Sequence, residues 1–214
     1  MYYQALKTLL RRALRDRIIS HNPADSVKAI KVPESVKVAL TNEELQKLAD
    51  IPIGGGLGGE IRRAFLFAAF TGLRISDLKD LKWGDIKTDP LQVQKRQEKT
   101  GRVVVVDIHP TAWQLVSVDA EHEPEDRVFP LIAETKTNTN QYLQKWAKDA
   151  KLGKPLGWHI ARHTFAVLTL EGGADFYTVS KLLGHTKPQT TAVYAKATDK
   201  MKRQAVEGLV KIRI

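Results

Sequence analysis

The sequence predicts a mainly α-helical domain with a small antiparallel β-sheet, an α+β class, and three observations carry the prediction. Thr41 followed by Glu44 forms a capping-box pattern that opens a stretch of helical spacing. The segment EIRRAFLFAAF, residues 60–70, is apolar around most of a helix circumference, which marks a helix buried at the centre of a domain. Between Asp85 and Pro110 the pattern changes to strands, and helical spacing returns afterwards.

Taken in order, residues 6–18 set Leu6, Leu9, Leu10, Ala13 and Ile18 at helical spacing, with Lys7, Arg11, Arg12, Arg15 and Arg17 around them. This is a basic amphipathic helix that stops at the Asn22-Pro23 turn. With nothing ahead of it to cover its apolar stripe, residues 1–29 are expected to be a remnant helix of an upstream domain. Residues 30–37, around Val32-Pro33-Glu34, have no periodicity and are expected to be a linker, so that the main domain runs over 38–214.

Leu40 and Leu45 flank the Thr41 cap as a hydrophobic staple. The run Gly54-Gly55-Gly56-Leu57-Gly58-Gly59 formally matches a dinucleotide-binding pattern. That pattern has mechanical meaning only between a strand and a helix, and here a helix and Pro52 precede it, so a flexible loop is expected. Thr71-Gly72 breaks the buried helix. Ser76 is the expected cap of the next short helix, with Asp77 in its first turn, which places Arg74 in a tight connection between two helices. Leu91 and Val93 then alternate with polar residues, Arg102 to Ile108 is a β-branched run, and Lys99-Thr100-Gly101 falls at the turn between them. Further helices are expected around Asn138 to Lys148, from Trp158 to Glu171 before Gly172-Gly173, and from Asp175 to Leu183 before Gly184. Pro188 is placed to open the last turns, which carry Tyr194.

Composition narrows the function. A formal charge of +10 over 214 residues points to a polyanionic partner, nucleic acid or an anionic membrane surface. No apolar run approaches the roughly 20 residues of a membrane span, and no h-region of a signal peptide follows Met1, so a soluble, cytoplasmic protein without a membrane partner is expected. The absence of cysteine removes disulfides, a thiolate nucleophile and cysteine zinc sites. Aromatics make up 7% of the chain, too few for a base-stacking platform as the main activity.

The candidate chemistry lies in four segments. Trp158 to His163 sets His159, Arg162 and His163 on one helix face. Two histidines four apart invite a zinc reading, but a metalloprotease helix needs glutamate where Ile160 stands, and Arg162 would bring a fixed positive charge to the metal. In LLGHTKPQTTAVYAK, His185 follows a helix ended by Gly184, and Tyr194 lies in the next one. Together with Arg74 and Lys99 these residues supply what phosphoryl transfer at a DNA phosphodiester requires without a metal or cofactor. Arg74 and Arg162 are guanidinium forks that match the non-bridging oxygens of the transition state. Tyr194 is the nucleophile and must lose a proton, for which His159 is the expected acceptor. The departing sugar oxygen needs a proton in return, and Lys99 on the hairpin suits that task, with Lys95 and Lys87 on the same hairpin as rivals.

The segments TGLRISDLKDLKW, KTGRVVVVDI, HIARHTFA and LLGHTKPQTTAVYA resemble, in order and spacing, the four active-site blocks of the tyrosine recombinases, also called the phage integrase family. The resemblance covers roughly residues 38 to 200. It implies that family's catalytic-domain fold, and site-specific cleavage and rejoining of double-stranded DNA through a 3′-phosphotyrosyl link, for integration or excision of a mobile element. By the same resemblance the catalytic set is Arg74, Lys99, His159, Arg162, His185 and Tyr194, with Asp77 and His163 in support and no metal or other cofactor. It also implies a tetramer on DNA in a full-length protein, and makes residues 1–29 the last helix of a core-binding domain. A type IB topoisomerase shares the chemistry but lacks the compact LLGH block, and a DNA-binding regulator that keeps the fold without cutting would not need the complete set.

Overall fold

The computed structural model describes residues 2–25, 27, 38–96, 101–117, 121–185 and 194. The chain forms two compact units, Met1–Ser35 and Val36–Ile214. In the first, helix α1 (Tyr2–Arg15) ends three residues short of the expected Ile18. Arg17 adopts φ 58°, and the amides of Arg17 and Ile18 donate back to the Leu14 and Ala13 carbonyls. This is a Schellman closure made without glycine, and its left-handed residue stops the helix. Leu6, Leu9 and Ile18 are more than half exposed. The Asn22 side chain accepts the Ala24 amide at 3.0 Å and starts a short 3₁₀ turn, Pro23–Asp25.

The second unit contains, in order, α2 (Asn42–Ala49), α3 (Gly56–Thr71), α4 (Ile75–Lys79), β1 (Ile86–Thr88), β2 (Leu91–Arg96), β3 (Val103–Asp107), α5 (Pro110–Gln114), α6 (Pro130–Glu134), α7 (Asn140–Asp149), α8 (Trp158–Glu171) and α9 (Phe176–Leu182). It is the expected mainly helical fold with a small antiparallel sheet. The capping box is present: Thr41 Oγ1 accepts the Glu44 amide at 3.2 Å, and the Glu44 carboxylate accepts the Thr41 amide at 2.9 Å. Leu40 and Leu45 are buried in one core cluster, and the Leu40 amide donates to the buried Thr164 Oγ1.

Four of the six residues of the glycine run are helix, not loop. Gly56 to Gly59 form the first turn of α3, because the chain doubles back tightly there: a Cβ on Gly59 would lie 1.6 Å from the Gly54 carbonyl oxygen. Helix α3 is the central post, with Ile61, Ala64, Phe65 and Phe67 fully buried and α4, α5, α6, α7 and α8 packed around it.

The sheet has the order β1-β2-β3, antiparallel throughout. The expected pair is β2 and β3, in a register that sets Val93 against Val106, Lys95 against Val104 and Arg96 against Val103. Strand β1 escapes pattern reading because three residues show no period. So do α5 and α6, five residues each, although Pro110 and Pro130 at their first positions are the usual signal for a helix start. Val104 and Val106 turn inward to a second core cluster with Phe165, Leu170, Val179, Leu183 and Tyr194. That cluster brings α8, α9 and the sheet to the site.

Candidate active site

Gly72, at φ 70°, closes α3 in the left-handed region, and a Cβ there would meet Phe165 at 2.5 Å. The chain then turns so sharply that Arg74 is itself the cap residue of α4. Ser76, the expected cap, lies inside the helix. The reason is Asp77, whose fully buried carboxylate accepts the Arg74 amide at 3.2 Å and stands 3.8 Å from the Arg74 guanidinium. Asp77 thus orients Arg74 through both its backbone and its side chain.

Arg162 is buried, and its fork reaches both ends of the site. One terminal nitrogen donates to the Gly72 carbonyl and the other to the Leu183 carbonyl, each at 2.6 Å. The guanidinium therefore ties the α3–α4 turn to the end of α9, and only its remaining N–H groups are open to a ligand. Burial, and then the neighbouring charge of Arg74, lower its pKa to about 10, with Tyr194 and Asp77 pulling the other way. It stays protonated at neutral pH.

Helix α9 is capped by the Asp175 carboxylate and closed by Gly184 at φ 63°. The Gly184 and His185 amides donate back to Lys181 and Ser180, a Schellman closure that fixes where His185 emerges. Arg102, at the foot of β3, donates to the His185 carbonyl at 3.2 Å and so joins the hairpin to the site. Burial, followed by repulsion from Arg162, Arg74 and His163, lowers the His185 pKa to about 4, so its imidazole is neutral at physiological pH.

Tyr194 is 3% exposed, and its hydroxyl lies 2.6 Å from His163 Nδ1. Burial raises its pKa, and the charges of Arg162 and Arg74 pull it back down. The histidine on the hydroxyl is therefore His163. His159, expected to take the tyrosine proton, is exposed one turn earlier in α8, its ring 6.4 Å from that of His163, and no hydrogen bond joins it to Tyr194 among the described residues. The reason is helical geometry: the two positions share a face, but only the later one looks toward the cluster that buries Tyr194.

Arg74, Asp77, Arg162, His163, His185 and Tyr194 thus come together, with His159 at the rim. Lys99 and Pro188 lie outside the described residues. Of Lys99's rivals, Lys87 donates to the Gly84 carbonyl at 2.8 Å. Lys95 is buried, and its ammonium donates to the Asp80 carbonyl at 2.7 Å and to the Asp80 and Asp85 carboxylates at 2.9 Å each. Burial alone would lower its pKa, but the hydrogen bonds and charges of Asp80 and Asp85 outweigh that and raise it, which suits an anchor and not a proton donor. Neither Lys95 nor Arg102 was singled out by pattern as a structural tie. The available signal was alternation, which puts Lys95 on the same inward face as Val93.

Among the described residues no group of three His, Asp or Glu side chains is disposed to hold a metal ion, and no helix is long and apolar enough to cross a membrane.

The sequence profile of the phage integrase family matches residues 39–201. Among curated proteins, the chain is 28% identical over 190 residues to the tyrosine recombinase XerA of Pyrococcus horikoshii, covering 86% of this chain and 65% of the relative. It is 30% identical over 200 residues to XerA of Thermococcus onnurineus, covering 87% and 70%. With XerC of Chlamydia caviae it shares 27% over 213 residues, covering 95% and 68%. The chain therefore spans about two thirds of the length of these relatives. The fold is similar to that of a lambda integrase dimer bound to a core site, with a TM-score of 0.68 at 19% identity over 99% of this chain and 75% of that one. It is also similar to the Tn1549 transposon integrase in complex with a circular intermediate DNA, with a TM-score of 0.67 at 20% identity over 97% and 77%.

Proposed function

This chain belongs to the phage integrase family, and from that premise we propose that it cleaves and rejoins double-stranded DNA at specific sites, with Tyr194 as the nucleophile. The observation that carries the reading is the Tyr194 hydroxyl, held 2.6 Å from His163 within the electrostatic field of Arg162 and Arg74. Relatives named tyrosine recombinases, and similar folds solved on DNA, support it.

In the proposed reaction the Tyr194 oxygen attacks the scissile phosphorus while its proton passes to His163. Arg74 and the free N–H groups of Arg162 take up the charge that develops on the non-bridging oxygens. His185, neutral, donates one N–H to the same oxygens, and His159 at the rim adds a further donor. The bond from phosphorus to the 5′ oxygen breaks, Lys99 supplies the proton that oxygen needs, and a 3′-phosphotyrosyl link and a 5′-hydroxyl result. Attack of a 5′-hydroxyl from a second duplex reverses these steps and releases Tyr194. Each role belongs to a side chain of this chain, so cleavage is expected to survive excess chelator. We place this chemistry in residues 38–214 and in the cytoplasm, in a tetramer on DNA during integration or excision of a mobile element.

The deciding experiment traps the covalent intermediate on a suicide duplex nicked beside the cleavage point. The parent chain should form an adduct stable to denaturation, and Tyr194→Phe should form none while binding the same DNA within about twofold, since only the nucleophilic oxygen is lost. An adduct with the phenylalanine variant would move the nucleophile elsewhere. A parent chain that binds but never links would leave a DNA-binding regulator.

A further inference from the structure

The helix that carries Arg74 is too short to hold its own direction. Isolated helices need roughly 12 to 15 residues before their hydrogen bonds sustain them, and α4 has five, with Arg74 as its first cap and Asp80 as its last. What aims it must come from outside. Leu78 anchors its middle in the core, and the Asp77 carboxylate holds the Arg74 end. The opposite end is held by cations: Arg127 donates to the Lys79 carbonyl at 2.6 Å from an exposed position, and Lys95 reaches Asp80 from inside the fold.

The Lys95 contact is built and not incidental. A lysine ammonium has three hydrogens, and here the Asp80 carbonyl, the Asp80 carboxylate and the Asp85 carboxylate receive it, each within 2.9 Å. Lysines normally extend their charge to water, yet the Lys95 side chain is 8% exposed while Asp80 and Asp85 are 56% and 25% exposed. A cation at the last carbonyls of a helix is also favoured by the helix dipole.

We propose that Lys95 is a positioning residue for strand cleavage: by clamping the last turn of α4 to strand β2, it holds Arg74, at the other end of that helix, in line with the scissile phosphate. The proposal rests on the role assigned to Arg74 above and adds a residue of the sheet that touches no reacting atom. The lever is short and stiff. A helix of this length spans roughly 7 Å, so a tilt of about 10° at the clamped end moves the arginine end by about 1 Å, a displacement that can cost about 100-fold in rate.

The test is single-turnover cleavage by the whole chain of two suicide substrates. One is ordinary DNA. The other is a methylphosphonate, both diastereomers, in which a methyl group replaces one non-bridging oxygen of the scissile phosphate and removes the charge Arg74 is there to meet. Lys95→Met should be slowed about tenfold or more on ordinary DNA and should cleave the neutral substrate within about twofold of the parent rate, as should Arg74→Ala. Combined with Arg74→Ala it should add no further loss on ordinary DNA, as expected of two residues acting through one contact. If Arg74→Ala gains nothing from the neutral substrate, the role of Arg74 fails and this inference with it. If Arg74→Ala is relieved but Lys95→Met is equally slow on both substrates, or unimpaired on ordinary DNA, only the clamp is overturned. A 5′ sulfur-bridged substrate should leave Lys95→Met slow, because a better leaving group does not re-aim an arginine; recovery there would move the clamp's purpose to Lys99 and overturn the proposal. Should Lys95→Met melt below the assay temperature, Asp80→Ala at an exposed carboxylate should reproduce the same substrate-dependent pattern, and parent-like cleavage by it would count against the clamp.

Discussion

At the residue scale, the site is a contest between burial and charge. Tyr194 is buried deeply enough to raise its pKa, and the two arginines assigned above to the phosphate charge offset only part of the shift. His185 shows the opposite balance, since burial and then its neighbours Arg162, Arg74 and His163 all disfavour its proton. With a folded pKa of about 4 against an unfolded value near 6.5, the native state binds fewer protons than the unfolded chain. Its contribution to stability is therefore complete above about pH 6.5 and is lost as pH falls toward 4. Melting temperatures between pH 7 and pH 5 should fall more for the parent than for His185→Gln; parallel curves would show that His185 titrates normally. Lys99 is tested by its leaving group. Lys99→Ala should be slow on ordinary DNA and recover most of its rate on a substrate with sulfur at the 5′ bridging position, because a thiolate with a pKa near ~8.5 leaves without a proton. Should recovery fail, the general acid is another group.

At the element scale, the site depends on how helices end. Gly72 closes α3, Asp77 and Arg74 start α4, and Gly184 closes α9 at His185. Arg162 reads two of these ends at once through the Gly72 and Leu183 carbonyls. Gly72→Ala is therefore a test of the assembly: a left-handed alanine and a Cβ pressed against Phe165 and Leu183 should together cost about 2 kcal/mol or more. Calorimetry should show that loss, and cleavage should slow beyond it, because the carbonyl that Arg162 holds would shift. A variant as stable and as fast as the parent would remove the turn from the argument. Thr164 serves the same purpose more quietly, tying the chain before α2 to α8 through the Leu40 amide.

At the scale of the whole molecule, an excess of ten positive charges must meet a partner dense in negative charge. Contacts from lysine and arginine to phosphates release counterions, so the logarithm of the DNA affinity should fall linearly with the logarithm of salt concentration, with about 0.9 lost per phosphate contact. A loss of at least about tenfold in affinity between 50 and 200 mM salt is expected on this account, read by fluorescence anisotropy on a short duplex. A flat dependence would mean that the basic surplus faces away from DNA.

Much of this was legible in the residues alone. Capping boxes, glycine stops and the strand pattern are local signals, and they placed the start of α2, the helices α7, α8 and α9, and the β2–β3 pair within a residue or two. Guanidinium, imidazole and phenol at Arg74, Arg162, His185 and Tyr194 are what the proposed phosphoryl transfer needs, and those residue types are read from the sequence directly. Spacing along one helix could not say which of His159 and His163 meets the tyrosine, since both lie on the same face and the choice depends on where the second core cluster buries Tyr194. Nor could it show that Arg162 is half occupied by two carbonyls, or that Lys95 joins Asp80 and Asp85. Sequence encodes conformational preference over a few neighbouring residues, whereas these partners stand far apart along the chain and meet only after the core has packed. Tertiary structure alone therefore decided which donor and acceptor groups remain open to a ligand.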